Sequence, residues 1–177
     1  MRLEPKDQVV RSWLDVRFKV SIENKGKKPV VLVANGDGSE CGWRTPIIGW
    51  SVLKKESADH PRVFVPNGFR DCGNINAPTA EEVLTIAPGG RAVLPHAWQA
   101  ARNAAKPFEV EGDGDPAHQY RVVFYYSNNP RMIWKGVMLG KAPEVLKRIR
   151  SSTPCELRSN EALVTWQSKP PPRASPK

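Results

Sequence analysis

The sequence predicts an all-β protein, an antiparallel β-sandwich with one short helix near residues 143–150. Three observations carry that expectation. Apolar and polar residues alternate at period two in several short runs, as a pleated strand with one buried face requires. Turn-forming residues punctuate those runs, and 17 prolines with 13 glycines suit a loop-rich β chain. Only one stretch carries helical spacing, which leaves little room for the crossover helices of a parallel sheet.

Residues 14–22 alternate without error: Leu14, Val16, Phe18, Val20 and Ile22 are apolar, and the residues between them are polar. Asn24 to Lys28 supply a turn around Gly26. Residues 29–34 are continuously apolar and rich in valine, the pattern of a strand covered on both faces. These two strands are expected to pair as a hairpin. The Gly- and Asn-rich residues 35–39 then end the second strand in a loop.

Another strand is expected at 47–53, with Ile48, Trp50 and Val52 on one face, and a short one at 62–65. A long loop of Gly, Asn and Pro follows, over 66–79. Residues 83–87 and 91–94 flank a turn at Pro88-Gly89-Gly90. Alternation returns at 120–126, where Tyr120, Val122, Phe124 and Tyr126 face one way. Pro143 suits a first helical position, with Val145, Leu146 and Ile149 on one side of the helix and Lys147, Arg148 and Arg150 toward solvent. The last strand is expected at 162–166. Residues 168–177 are proline-rich and basic and read as a disordered tail, which leaves 1–167 as a single sandwich domain.

Forty per cent hydrophobic residues and six tryptophans argue for a folded core. The net charge of +9 is uneven: residues 1–127 hold 17 Lys and Arg against 15 acids, and residues 128–177 hold 10 against 3. A nucleic-acid protein more often carries its basic stripe on the folded face. Arg131, Lys135, Lys141, Lys147, Arg148, Arg150 and Arg158, with Trp134 nearby, therefore read as a solvated helix face leading into a charged tail, and nucleic acid is disfavoured as a partner. No run approaches the roughly 18 apolar residues of a membrane-spanning helix. Acids and Pro5 stand where a signal peptide would be apolar. A cytoplasmic protein is expected if Met1 is the native start, with export after loss of a leader as the alternative. Cys41, Cys72 and Cys155 show no C-x-x-C spacing and read as small buried thiols; a Cys41–Cys72 disulfide is the alternative in an exported protein.

Three stretches, NKGKKPVVLV after the first strand, LTIAPGGRAVL and QYRVVFYY, resemble bacterial immunoglobulin-like sandwich domains. The middle one looks like the apolar strand, Pro-Gly, apolar strand turn of such modules. Tyr120, following Gly-Asp-Pro, is similar to their tyrosine-corner residue. The same features recur in the intracellular proteinase inhibitor family of bacilli. The resemblance covers roughly half of the chain, implies an immunoglobulin-like sandwich, and assigns no functional residue. The Cys…Trp…Cys spacing of true immunoglobulin domains is absent.

Two loops have no counterpart in those families. Residues 36–50 hold Asp37, Glu40, Cys41, Trp43, Arg44 and Trp50, and residues 70–79 add Asp71, Cys72, Asn74 and Asn76. Aromatic, Arg and Asn side chains on loops of a rigid frame make a binding surface; the competing reading is that Trp43 and Trp50 pack and the glycines only turn the chain. Asp37 and Asp71 do not fit a calcium loop, and His60, His96 and His118 stand apart, so neither metal nor cofactor is expected. Neither a nucleophile elbow nor a phosphate-cradling loop is present in the sequence. The expected function is a non-enzymatic module presenting loops 36–50 and 70–79 to a protein or glycan. Proteinase inhibition is one alternative, and a hydrolase built on Cys41 or Cys72 beside a histidine is another.

Overall fold

The computed structural model describes residues 1–5, 9–10, 18–34, 46–56, 79–94, 118–131 and 143–166. Residues 14–17, the expected strand at 62–65, Cys41, Cys72 and the tail at 168–177 lie outside the described residues. Among the described residues the fold is all-β with one short α-helix. Its strands are β1 (Arg2–Pro5), β2 (Val9–Val10), β3 (Phe18–Glu23), β4 (Val30–Val33), β5 (Ile47–Lys54), β6 (Val83–Ile86), β7 (Arg91–Val93), β8 (His118–Asn128), β9 (Cys155–Arg158) and β10 (Ala162–Trp166). A 3₁₀ turn spans Ala80–Glu82, and helix α1 spans Pro143–Arg150, as its spacing predicts. One sheet runs β1-β3-β7, a second is the pair β4-β6, and the third runs β2-β10-β8-β5 with β9 also on β8. Every described pair is antiparallel except β2 with β10.

Alternation sends one face of each sheet into a common core. Phe18, Val20 and Ile22 of β3 meet Leu32 of β4, Ile86 of β6, Ile48 and Trp50 of β5, Val122, Phe124 and Tyr126 of β8, and Ala162 and Val164 of β10. Trp50 joins the layers: its ring lies 5.3 Å from Phe18 and 4.7 Å from Phe124, between centroids. Burying a side chain of this kind contributes about 1.5–3 kcal/mol. Both faces of β8 are covered, since Val123 and Tyr125, which point away from this core, are 0% and 7% exposed. The β4-β6 pair is also covered on both sides, as the valine-rich run predicts. Leu32 and Ile86 face the common core, and Val33 and Val83 pack on Ile149 of α1.

The expected hairpin between residues 14–22 and 29–34 does not form. Both strands are present, but β3 pairs with β1 and β7, and β4 pairs with β6. The reason is a corner built on Asn24. Its side-chain amide donates to Lys28 O at 2.8 Å and to Ile86 O at 2.9 Å, and its Oδ1 accepts the Gly26 N–H at 2.9 Å. Its backbone N–H donates to Gly90 O, and its carbonyl accepts from the N–H of Gly89, whose φ of 73° favours glycine. The chain thus leaves one sheet for another at Asn24, and the segment from β6 to β7 makes the same passage beside it. Between Glu23↔Arg91 and Val30↔Ile86, residues 24–29 on one run lie beside the shorter 87–90 on the other. Alternation reports which face a residue takes; it is silent about which strand lies alongside.

A β-bulge shapes the far edge of β8. Arg158 lies opposite Tyr125 and Ala162 opposite Val122, so residues 159–161 oppose only Val123 and Phe124. Ser159 restores the ladder there. Its N–H donates to Phe124 O at 3.0 Å, and its hydroxyl accepts the Phe124 N–H at 2.9 Å, in place of a carbonyl. Among the described residues no helix is long and apolar enough to cross a membrane.

Candidate functional site

Of the residues read as a binding surface, Asp37, Glu40, Trp43, Arg44, Asp71, Asn74 and Asn76 lie outside the described residues. Trp50 is 5% exposed and set between two core rings, so its contribution is anchorage of the 36–50 loop. The described segments at Ala34, before the first loop, at Ile47, where it re-enters the sheet, and at Thr79, at the end of the second, place these loops on the fold.

The first loop leaves β4 at Ala34, and the second returns at Thr79. The Ala34 N–H donates to Glu82 O at 2.6 Å, directly beyond the Val33↔Val83 pair. The described residue that precedes the first loop and the described residues that follow the second therefore lie side by side, though far apart in sequence. The 3₁₀ turn at that point is closed by Glu82, whose Oε2 accepts the Thr79 N–H at 2.8 Å. Helix α1 braces it from outside. Arg148 donates through Nη1 to Ala80 O at 3.1 Å and through Nη2 to Val83 O at 2.6 Å, while Ile149 packs beneath on Val33 and Val83.

Tyr126 holds both ends of the first loop. On β8 it lies opposite Ile48, where the loop re-enters β5. Its hydroxyl donates to Val33 O at 2.9 Å and accepts the Val33 N–H at 3.2 Å, where the loop departs. The next peptide along that edge of β4 is closed by Thr153. Its N–H donates to Val31 O at 2.8 Å, and its Oγ1 accepts the Val31 N–H at 3.1 Å. Asn128 in turn fixes Thr153, donating through Nδ2 to Thr153 O at 2.7 Å and to Ser152 Oγ at 2.9 Å.

Burial pushes the Tyr126 phenol well above its ordinary range, with the neighbouring Cys155 adding to the effect; the hydrogen bond with Val33 opposes it. The Cys155 thiol is pushed up too, first by burial and then by Glu156, with the Asn128 backbone opposing. Both groups keep their protons at neutral pH, and a protonated thiol is a poor nucleophile. Cys155 is free and only partly buried, where the sequence reading has a small buried thiol. Among the described residues no set of three or more His, Cys, Asp or Glu side chains stands close enough to hold a metal.

The hydroxyls, amide and guanidinium of this arrangement hold backbone carbonyls and N–H groups, and the Asn128 amide also holds the Ser152 hydroxyl. The sequence sets Tyr126 on one strand face with Tyr120, Val122 and Phe124, and Arg148 toward solvent. A phenol in an otherwise apolar run signals that a partner is needed, but does not name Val33. For Arg148 no local signal exists. No family model, curated protein or solved structure matches this chain.

Proposed function

We propose that the chain is a non-enzymatic, immunoglobulin-like binding module that offers the 36–50 and 70–79 loops to a protein or glycan partner. The observation that carries this reading is the Ala34–Glu82 hydrogen bond, which sets the start of the first loop beside the end of the second. Loops rooted together can act as one surface, and Trp43, Arg44, Asn74 and Asn76 are the residue types that recognition uses. Fixing both ends of the first loop lowers the ordering cost that binding carries.

The test is a glycan array and a displayed-peptide selection on the intact chain, followed by the double substitution Trp43→Ala, Arg44→Ala. Ligand affinity is expected to fall at least tenfold, or by about 1.4 kcal/mol or more, with the circular dichroism spectrum unchanged. An unchanged affinity removes the loops from the interface. A serine or metalloprotease that the chain inhibits, with inhibition lost in the same double variant, would identify the partner as a protease.

A further inference from the structure

The outer face of the β1-β3-β7 sheet carries a concave surface, made of residues that neither loop includes. An open groove of about 800 Å³ is lined there by Arg2, Ser21, Glu23, Lys25, Arg91 and Asn160, among others. Its construction follows from alternation. Phe18, Val20 and Ile22 of β3 turn inward, so Ser21 and Glu23 turn outward. Cross-strand pairing then sets Arg2 beside Ser21 and Arg91 beside Glu23.

The floor of the groove is specific. Ser21 is 1% exposed, and its hydroxyl accepts a hydrogen bond from Arg91 Nε at 3.1 Å. That bond orients the guanidinium and leaves its two terminal nitrogens without a protein partner among the described residues. Lys25, on the corner beside it, has no ion-pair partner among the described residues either. Arg2 is already engaged by Glu4 at 2.8 Å. The groove therefore presents an oriented guanidinium and a flexible ammonium, both uncommitted, next to a single carboxylate, Glu23.

We infer that this groove binds an acidic stretch of polypeptide, an extended segment with spaced Asp or Glu side chains. A guanidinium held through Nε keeps its outer pair of N–H groups for the two oxygens of a carboxylate. Lys25 supplies a second point of attraction without fixed geometry. Glu23 opposes a compact, multiply charged phosphate or sulfate group, yet suits a chain whose charges are single and whose backbone N–H groups lie between them. The open form of the groove admits an extended segment.

The experiment is fluorescence anisotropy at low salt, using a labelled ten-residue peptide of alternating Glu and Gly, the matching Lys-Gly peptide, and a heparin hexasaccharide. Saturable binding of the Glu peptide alone is expected. Arg91→Ala and Lys25→Ala should each weaken it about fivefold or more, while Lys55→Ala, an equal charge loss outside the groove, should change it less than about twofold. Ser21→Ala keeps every charge and releases the Arg91 Nε; a weakening of about twofold to threefold is expected from lost orientation. Ser21→Ala and Lys25→Ala carry the test if Arg91→Ala fails to fold. Absence of peptide binding overturns the inference, as does equal weakening by Lys55→Ala, which would mean diffuse attraction to a basic chain. Binding of the heparin fragment in place of the peptide, lost with Arg91→Ala, assigns the groove to a polyanionic glycan and overturns it too.

Discussion

Strands β8 and β4 both lie deep in the molecule, and their edges are closed by different means. β8 is flanked by β5 along one edge and by β9 and β10 along the other. Among the described residues β4 has β6 along one edge only. On its other edge the peptide groups of Val31 and Val33 are met by Thr153 and by the Tyr126 hydroxyl. A buried peptide group needs a partner, and a ladder is one of several ways to supply it. The difference lies in redundancy. β8 spreads its hydrogen bonds over a long ladder, so its vulnerability is apolar packing. β4 depends on single atoms.

The largest expected effect is on the β8 side. Phe124→Ala removes a ring that is fully buried and lies 4.7 Å from Trp50, and should cost about 3–5 kcal/mol in urea denaturation. A cost below about 1 kcal/mol would mean that packing does not hold β8, and the contrast would fail.

Tyr126→Phe sharpens the comparison, because it removes one oxygen and leaves the ring. It strands both the N–H and the carbonyl of Val33, so about 2 kcal/mol is expected where an exposed hydroxyl would cost far less. The pH dependence gives an independent reading of the same atom. The Tyr126 phenol stays protonated in the folded chain where the unfolded chain has already ionised. The unfolded state then binds fewer protons, so stability falls as pH rises. The phenol's contribution is complete below the ordinary value of about 10, and above it drains at about 1.4 kcal/mol per pH unit. Cys155 adds a weaker loss of the same sign that begins at lower pH, where a free thiol ionises. The alkaline slope should shrink in Tyr126→Phe; a slope that persists in full would place its origin elsewhere.

Thr153→Val is the smallest of the three. Only the acceptor for the Val31 N–H is lost, while the backbone bond from Thr153 to Val31 O remains. About 0.5–1.5 kcal/mol is expected, and a loss equal to that of Tyr126→Phe would show the two closures of β4 to be equivalent.

Much of the strand inventory was legible because period-two alternation is a direct imprint of a buried face. β3, β4, β5, β8 and β10 fall where alternation or apolar runs put them, β6 and β7 where they flank the Pro88-Gly89-Gly90 turn, and α1 where 3.6-residue spacing does. Pairing was less legible. Asn24 reads as a turn residue, which it is, but its long-range bond to Ile86 O sends the two strands to different sheets. β1 escaped notice because it holds one apolar residue, Leu3, among charged neighbours. β9 escaped because the run from Cys155 to Trp166 does not alternate in a single phase.

At the candidate site, the content of the loops was readable and their shared root was not. The contacts that make the root, Ala34 with Glu82 and Tyr126 with Val33, join residues far apart in sequence with no local signature. Trp50 admitted both a binding and a packing reading, and its register opposite Phe124 made it a core ring.

The bulge at Ser159 works as a phase shift in a two-letter code. Before it, the odd-numbered Cys155 and Leu157 lie opposite Asn128 and Tyr126; after it, the even-numbered Ala162 and Val164 lie opposite Val122 and Tyr120, on the same face of β8. One residue exchanges inside for outside along everything downstream. Insertions or deletions of two residues at 159–161 leave that assignment intact. A change of one would turn Leu163, now 47% exposed, toward the core and expel Val164 from it. Parity of length, more than identity of residues, is what this short link must preserve.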